Sequence, residues 1–283
     1  MSEQAIPTPG LVTTTPATRP RRQRPTLVHV VTAATLLAYA GMLATLLLAN
    51  AAYLEPASFI EIFRSADLRF ALRLSLVTAT LATLLSLALA IPVAYALTRV
   101  RLRGWSLLDA LVDVPMVLPP LVMGVTLLVF FQTPVGRLIE ATGLRFVYSA
   151  AGIVLAQFLV VSPFAIRTIK ASLDAIDPRV EDVARTLGYS PVQVFCRVTL
   201  PMMRGGIVAG AVICWAQAIG LFGPLMIFAG TTRRQTEVLA TSIYLELSIG
   251  RIQMALAISM LMLGVALVTL WCLKRVMGPT RWI

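Results

Sequence analysis

Asp109 and Asp113 are two acidic residues that could act together at one site, because side chains four residues apart share one face of a helix. They stand in an apolar stretch, where two carboxylates suggest an ion or proton site. If the stretch is helical, however, Asp113 lies only about eight residues, or about 12 Å, inside it. The preceding segment supplies Arg99, Arg101 and Arg103. We therefore favour structural ion pairing for both carboxylates.

The other reactive residue types form no recognisable site. His29 is the only histidine, and the cysteines are far apart, so the sequence offers neither a metal-ligand set nor a catalytic triad. The three cysteines are Cys196, Cys214 and Cys272. Lys170 and Lys274 are the only lysines, and neither follows a glycine, so the phosphate-binding Gly-x-x-x-x-Gly-Lys-Ser/Thr loop is missing. We expect the chain to be no enzyme and to hold no metal or cofactor.

The elements that carry these residues are expected to be membrane-spanning helices. Hydrophobic residues make up 58% of the 283 residues and charged residues 13%, more apolar surface than a soluble domain of this length could bury. The apolar runs are long and continuous, which favours helices of about 20 residues over the short alternating strands of a barrel. Six spans are predicted, near residues 27–49, 70–97, 107–131, 148–169, 205–229 and 252–273.

The distribution of basic residues predicts how the spans are oriented. With both termini in the cytoplasm, Lys and Arg favour the inner segments by about two to one. The net charge of +11 is then explained by topology and lipid headgroups rather than by nucleic-acid binding. Residues 1–25, rich in Pro and Thr, are expected to form a disordered cytoplasmic tail. Residues 26–69 would hold the first span and an outer loop, 70–275 a core of five helices, and 276–283 a cytoplasmic tail.

The inner loop from residue 170 to residue 204 is too polar to cross lipid and too long to be a turn, so it should fold outside the membrane. Asp177-Pro178 is typical of a helix start, since the carboxylate can accept backbone N–H groups and proline suits the first turn. Gly188 would end this helix. Val180, Val183, Ala184 and Leu187 then form an apolar stripe opposite Arg179, Asp182 and Arg185.

A second short amphipathic stretch, residues 191–198, follows before Leu200-Pro201 leads into the fifth span. A surface helix with one apolar stripe and one charged face is suited to docking against a partner protein. The same pattern is typical of a helix that lies on the membrane surface, and physical reasoning alone leaves the two interpretations equally open.

The loop resembles the EAA loop of the permease subunits of bacterial binding-protein-dependent ABC importers. That pattern runs Glu-Ala-Ala, three residues, Gly, nine residues, Ile, one residue, Leu-Pro. This chain has Asp182-Val183-Ala184, then Gly188, then Val198, then Leu200-Pro201, with every spacing kept. It departs from the pattern in having Asp for Glu, Val for the first Ala and Val for Ile.

The resemblance implies a type I ABC importer permease (MetI-like), all-α with about six transmembrane helices. In that family the loop forms a coupling helix that sits in a cleft of the ATP-binding subunit, so Asp182, Ala184, Arg185 and Gly188 would be docking residues, with Val183, Val198, Leu200 and Pro201 completing the motif. The resemblance also implies two ATP-binding subunits holding ATP and Mg, a second permease subunit that is an identical copy, and an extracytoplasmic solute-binding protein.

Two further segments are similar to those of molybdate, tungstate and sulfate permeases. Residues 114–124 resemble the Pro-Leu-Val-Leu-Pro-Pro-x-Val-x-Gly segment of that group, and residues 236–244 resemble its outer loop before the last span. Gly220-Leu221-Phe222-Gly223 lies where those permeases often carry Gly-Glu-Phe-Gly, with Leu221 replacing the glutamate. The resemblance therefore implies a small oxyanion as the solute. Importers of thiamine, iron, polyamine or phosphate are the alternatives, because they share the loop.

In such permeases the solute path lies between two subunits, and the residues expected to line or shape it here are Pro119, Pro120, Gln217, Gly220 and Gly223. Prolines free backbone carbonyls inside a span, and glycines let helices approach closely. Gln217 must face the path or bond a neighbouring helix, since an unpaired amide is costly in hydrocarbon.

Three further interpretations remain open from the sequence. Gly206 and Gly210 form a small-xxx-small pair, for which we favour packing within the subunit over a dimer seam. Arg233-Arg234 could attract an anion or an acidic binding protein, although a solvated pair is the commoner outcome. The rival function is an ion-coupled secondary carrier or channel that uses Asp109 and Asp113, and a non-transporting scaffold would leave the loop pattern unexplained.

Overall fold

The computed structural model describes residues 27–100 and 104–277. Predictions for the tail 1–25, for Arg101 and Arg103, and for residues 278–283 fall outside these ranges. Within them every regular element is a helix and no strand occurs. Contacts divide the chain into two units, residues 1–49 and residues 50–283.

The described part of the first unit belongs to helix α1, Leu27–Tyr53, which runs past the unit boundary. Its 27 residues are strongly apolar and none is buried. Threonine hydroxyls in this helix donate hydrogen bonds to backbone carbonyl oxygens one turn earlier. Thr32 donates to Val28 O at 2.9 Å, and Thr45 donates to Gly41 O at 2.8 Å. The helix is therefore long and apolar enough to cross a bilayer.

The second unit contains the other helices and two π-helical segments, the first of which joins α9 to α10. The long helices are α3 (Ala66–Arg99), α7 (Ala150–Asp174), α11 (Arg204–Gly220) and α13 (Ile252–Met277). The shorter ones are α2 (Pro56–Arg64), α4 (Trp105–Val117), α5 (Pro120–Gln132), α6 (Pro134–Glu140), α8 (Arg179–Thr186), α9 (Pro191–Val194), α10 (Leu200–Met202) and α12 (Leu239–Ser248). The π-helical segments are Phe195–Thr199 and Leu225–Ala229.

The number of spans agrees with the sequence prediction when bent helix pairs are counted as single spans. Helices α1, α3, α7 and the first 21 residues of α13 are each long and apolar enough to cross a membrane. Two bent pairs, α4 with α5 and residues 191–202 with α11, raise the number in the described ranges to six.

The third predicted span, residues 107–131, was expected to be one helix and is instead broken. Helices α4 and α5 meet at 111° across Leu118 and Pro119. Leu118 is in an extended conformation with φ −65° and ψ 134°, the region to which a following proline restricts a residue. Pro119 has no N–H with which to continue the helix, and Pro120 starts α5 at the position where proline is tolerated.

Other element boundaries also differ from the prediction. The fifth predicted span, residues 205–229, is α11 up to Gly220, a non-helical break, and then the π-helical segment from Leu225 to Ala229. Helix α7 extends to Asp174, so the inner loop begins about five residues later than the predicted residue 170. Helix α3 starts at Ala66 inside the predicted outer loop, which also contains α2.

The core of the second unit is built where α3 packs against α7 and α11. The face that α3 buries consists of small residues, which let the helix backbones approach closely. These are Ala71, Ser75, Thr78, Ala79, Ala82, Thr83, Ser86, Ala90 and Ala94. Larger apolar side chains, including Val161, Ile169 and Leu173 of α7, fill the space between them. This packing fixes the ends of α7 and α11 between which the inner loop runs.

Gly206 and Gly210 of α11 face α7 within the same chain. A Cβ on Gly206 would lie 2.3 Å from Ser172 Cβ, and one on Gly210 would lie 3.6 Å from Ala165 Cα. The small-xxx-small pair therefore serves packing within the subunit, as favoured from the sequence. Gly205, its immediate neighbour, has nothing within 4 Å of an added Cβ.

Replacing Gly206 with alanine should therefore destabilise the protein by about 1–2 kcal/mol, because the added methyl forces α7 and α11 apart. Gly205→Ala is the matched control and should be neutral or slightly stabilising, since alanine favours the helix and meets no neighbour. Thermal unfolding of the two purified variants in the same detergent measures the difference. Equal midpoints would contradict the close approach of the two helices.

Candidate functional site

The inner loop begins with the short helix α8, and local chemistry accounts for its start. Asp177 Oδ1 accepts a hydrogen bond from the backbone N–H of Arg179 at 2.9 Å, and Pro178 leads into the helix. An acidic residue and a proline at this place satisfy or remove the N–H groups that the first turn leaves unpaired. The helix start predicted at Asp177-Pro178 is thus confirmed.

The end of α8 is a sharp turn at Gly188. This residue has φ +89°, the left-handed conformation that side chains with a Cβ disfavour. The backbone N–H of Gly188 bonds Arg185 O at 3.0 Å, and that of Tyr189 bonds Ala184 O at 3.3 Å, so the last carbonyls of the helix are satisfied. The chain reverses here as the sequence predicts.

The outward face of α8 differs from the predicted apolar stripe. Val183 and Leu187 are 58% and 74% exposed, whereas Ala184 is only 6% exposed and offers little surface to a partner. Beside the two exposed apolar side chains, Arg185 Nη1 bonds Asp182 Oδ1 at 3.0 Å. We call Asp182, Val183, Arg185 and Leu187 the outer face of α8. It combines exposed apolar area with a charged pair.

The inward face of α8 is anchored by Glu181, which the sequence analysis did not single out. Its side chain is 3% exposed and pairs with Arg99 Nε of α3 at 3.0 Å. Thr199 Oγ1 also donates to the carboxylate at 3.2 Å. Glu181 directly precedes the EAA-like motif, but its partner Arg99 is 82 residues away, so no local pattern predicts the contact.

The second half of the loop is a helical segment that leads into α11. Ser190 and Gln193 form a capping box at its start, with Pro191 in the first helical position. The π-helical segment Phe195–Thr199 follows, in which Val198 is partly buried. Leu200 is also partly buried and Pro201 is exposed. These last motif residues therefore link the loop to the core rather than extend the outer face of α8.

The five residues predicted to shape a path come together around one cavity of about 440 Å³. It lies where the break between α4 and α5 meets the end of α11. Its lining consists of Pro119, Pro120, Leu121, Gln217, Gly220, Leu221, Phe222 and Gly223. Gln217 is exposed, and none of the lining residues is acidic. A Cβ on Gly223 would lie 3.3 Å from Pro120 Cβ, so glycine here permits the close approach of two backbones.

Gln157 of α7 holds the end of α11 in place beside this cavity. Its side chain is 1% exposed, and Nε2 donates to the backbone oxygen of Ala218 at 2.9 Å. The Leu221 N–H bonds the same oxygen at 3.3 Å. Sequence analysis missed Gln157. A polar residue inside the apolar fourth span was the available signal, because a buried amide needs a partner.

Asp109 and Asp113 are paired, as favoured, but with a different arginine from those expected. Arg167 of α7 bonds Asp113 through Nε at 2.6 Å and Asp109 Oδ1 through Nη1 at 2.7 Å. It also donates to the backbone oxygen of Asp109 at 2.9 Å. Arg99, one of the expected partners, is engaged by Glu181 instead. The two carboxylates thus join α4 to α7, and both are already paired with the guanidinium of Arg167.

Arg233 and Arg234 are engaged in ion pairs, with side chains that remain 38% and 64% exposed. Arg234 Nε lies 3.0 Å from Asp67 Oδ1, and Arg233 Nη2 lies 2.9 Å from Glu246 Oε1. Glu246 is 2% exposed, so its charge needs this partner. The two arginines tie the loop before α12 to the start of α3.

Glu237, in the same loop, is a second buried carboxyl that sequence analysis missed. It is 0% exposed, and Ser242 Oγ donates to Oε1 at 2.8 Å. Burial raises the pKa of the Glu237 carboxyl, and the hydrogen bond from Ser242 and the charge of Arg233 offset this only in part. The shift favours the neutral form of this buried carboxyl.

Comparison with known proteins points to membrane transport. Residues 82–276 match the family described as "Binding-protein-dependent transport system inner membrane component". The chain is 38% identical over 198 residues to the molybdenum transport system permease protein ModB of Mycobacterium bovis, covering 69% of this chain and 75% of that one. It is 30% identical over 225 residues to the sulfate transport system permease protein CysT of Escherichia coli, covering 79% and 81%.

Solved structures agree on the fold. A chain of a bacterial alginate ABC transporter in complex with an alginate pentasaccharide-bound periplasmic protein superposes with a TM-score of 0.72 at 20% identity, covering 89% of this chain and 95% of that one. A chain of the MetNI methionine ABC transporter in an inward-facing conformation gives 0.59 at 18% identity, covering 75% and 97%.

Proposed function

This chain belongs to the family of binding-protein-dependent transport system inner membrane components, and we propose that, as the permease subunit of an ABC importer, it carries a small tetrahedral oxyanion across the inner membrane. Molybdate, tungstate and sulfate are the proposed solutes. The relatives named for molybdenum, molybdate/tungstate and sulfate transport support this class, at 38%, 39% and 30% identity.

The outer face of α8 is the observation that carries the proposed link to a separate ATPase. Val183 and Leu187 leave apolar area uncovered, while Asp182 and Arg185 offer one charge of each sign. Interfaces that must form and re-form combine such an apolar centre with polar groups at its rim. The turn at Gly188 holds this face at a defined angle to the helical segment that follows.

The cavity at the break between α4 and α5 is the proposed solute path. Gln217 supplies amide N–H donors, which suit an anion, and no lining residue carries a negative charge that would repel one. Asp109 and Asp113 are both ion-paired with Arg167, and neither lines the cavity, so the path contains no unpaired carboxylate. In this proposal Pro119, Pro120, Gly220 and Gly223 shape the path and Gln217 contacts the solute.

The proposed assembly contains two copies of this chain, two ATP-binding subunits and an extracytoplasmic solute-binding protein. ATP and Mg would be held by the ATP-binding subunits, because the chain has no phosphate-binding loop of its own. Both termini would face the cytoplasm, which also places α8 on the side where ATP is available.

Uptake by the reconstituted complex tests this function. Vesicles containing the chain, its ATP-binding subunit and its solute-binding protein should accumulate radiolabelled molybdate only when ATP is supplied to the ATP-binding subunits. Unlabelled tungstate and sulfate should compete, because all three are tetrahedral dianions, whereas thiamine should not.

Vesicles that contain the chain alone are the control for the rival function. They should take up no molybdate when a proton or sodium gradient is imposed. Gradient-driven uptake without the ATPase would support an ion-coupled carrier instead. ATP-dependent uptake of thiamine but not of molybdate would keep the importer and overturn the oxyanion.

A further inference from the structure

Glu181 is buried although it stands on a helix whose other acidic residue is open to solvent. Side-chain exposure is 3% for Glu181 and 66% for Asp182. The Glu181 carboxylate accepts hydrogen bonds from Arg99 Nε at 3.0 Å, Thr199 Oγ1 at 3.2 Å and Tyr95 Oη at 3.4 Å. A buried carboxylate is retained only where several groups satisfy it: here three side chains donate hydrogen bonds, and Arg185 Nη2 adds a longer ion pair to Oε2 at 3.7 Å.

These donors come from elements that are distant in sequence. Arg99 and Tyr95 lie in the last turns of α3, whereas Thr199 lies in the segment that enters α11. Arg99 Nη2 also donates to Ile176 O at 3.1 Å, in the connection between α7 and α8. The Glu181–Arg99 pair is therefore the point at which α3 and α8 meet the connection that follows α7 and the segment that enters α11.

Helix α3 is not adjacent to α8 in the chain, so a side-chain contact is needed to couple their motions. Helices α7 and α11 flank the loop in the chain, so a displacement of α8 pulls on both directly. Helix α3 precedes the loop by about 80 residues, and the Glu181–Arg99 pair bridges this gap with both side chains largely desolvated, at 3% and 13% exposure. Pairs of this kind are strong only in one geometry, so they resist relative motion of the elements they join.

We propose that Glu181 is a positioning residue that makes α3 move as one body with α8, so that nucleotide-driven motion of the ATPase reaches α3 through the Glu181–Arg99 pair. The inference rests on the proposed docking of the ATPase on the outer face of α8. Helix α8 would then have two roles. Asp182 and Arg185 contact the ATPase on its outer face, and Glu181 transmits the motion to α3 from its inward face.

Distance measurements between spin labels test the proposal without knowledge of the solute. One label is attached at Leu84→Cys on α3 and the other at Arg179→Cys on α8, both exposed positions. The native cysteines, Cys196, Cys214 and Cys272, are replaced by alanine. The complex with the ATP-binding subunit is measured without nucleotide and after trapping with ATP and vanadate.

With Glu181 intact, the distance between the labels should be the same in both nucleotide states. In Glu181→Gln it should shift by about 2 Å or more, the scale of helix displacements in switching proteins. Glutamine keeps the shape and the hydrogen bonds from Thr199 and Tyr95, so the variant should fold and still copurify with the ATPase. Arg99→Met removes the other half of the pair and should give a nucleotide-dependent shift as Glu181→Gln does.

Asp182→Ala is the matched control, one residue away on the outer face. It should weaken copurification of the ATPase without loosening α8 from α3. An identical distance in both states of Glu181→Gln, or a nucleotide-dependent distance with Glu181 intact, would overturn the inference and leave the docking proposal untouched. Failure of the ATPase to copurify with the unaltered chain would overturn the docking proposal and this inference with it.

Discussion

Replacing Gly188 with valine should reduce ATP-driven uptake about tenfold or more and weaken copurification of the ATP-binding subunit. Gly188 has φ +89°, and a residue with a Cβ pays about 1–2 kcal/mol in the left-handed region, more if it is β-branched. Since 1.4 kcal/mol is about a factor of ten, this strain is enough to displace the turn. An added Cβ would meet nothing within 4 Å, so the effect would come from the backbone alone.

Gly143→Val is the matched control for this prediction. Gly143 also has a positive φ, +96°, and open space around an added Cβ, but it lies in the connection between α6 and α7. It should carry the same backbone strain and leave the ATPase bound. Combining Gly188→Val with Arg185→Ala should abolish ATP-dependent uptake while membrane insertion stays normal. Unchanged uptake in the combined variant would remove the basis for assigning ATPase docking to α8.

The helix start at Asp177-Pro178 and the turn at Gly188 could be predicted because each depends on residues within one turn of chain. A carboxylate before a proline and a glycine after the last helical residue act through the local backbone, and the structure contains both interactions. The cavity lining was predictable for a related reason, since prolines and glycines inside apolar runs mark interruptions in the helices.

The pairs that join distant elements could not be predicted from spacing. Arg167 lies in the predicted fourth span, and nothing local connects it to Asp109 and Asp113, which are 58 and 54 residues away. Glu181 adjoins a recognised motif, yet its burial depends on Arg99 in another helix. Arg167 reaches the two carboxylates because α4 packs against α7, and Arg99 reaches Glu181 because the end of α3 lies beside α8; helical periodicity encodes neither contact.

The third span contains two prolines that were recognised in the sequence, but the break in the helix that they cause was not predicted. Pro119 and Pro120 were placed inside one span, where prolines free backbone carbonyls, whereas the structure separates α4 from α5 by 111°. Two consecutive prolines remove two N–H donors and force Leu118 out of the helical region, so the helix ends there. The same break creates the cavity that we propose as the path, and the five residues predicted for the path lie around it although a single continuous helix was expected.

Replacing Arg167 with methionine should destabilise the protein by about 2–3 kcal/mol. The change leaves Asp109 and Asp113 without their cation, as like charges four residues apart on α4. Breaking a fully buried ion pair costs about 3–5 kcal/mol, and the 40% exposure of both carboxylates lowers this figure. Thermal unfolding in detergent measures the loss. Lys170→Met, one turn further along α7, breaks only an exposed pair with Asp174 and should cost about 0.5 kcal/mol or less.

The neutral triple variant, in which Arg167→Met is combined with Asp109→Asn and Asp113→Asn, separates structural pairing from an ion-binding role. It should recover most of the lost stability, because the penalty comes from unpaired charge rather than from lost packing. It should also retain ATP-driven uptake, since the carboxylates hold α4 against α7 and take no part in moving the solute. If this variant unfolds at the normal temperature but transports nothing, the carboxylates do more than pair with Arg167, and the ion-coupled carrier becomes the better interpretation.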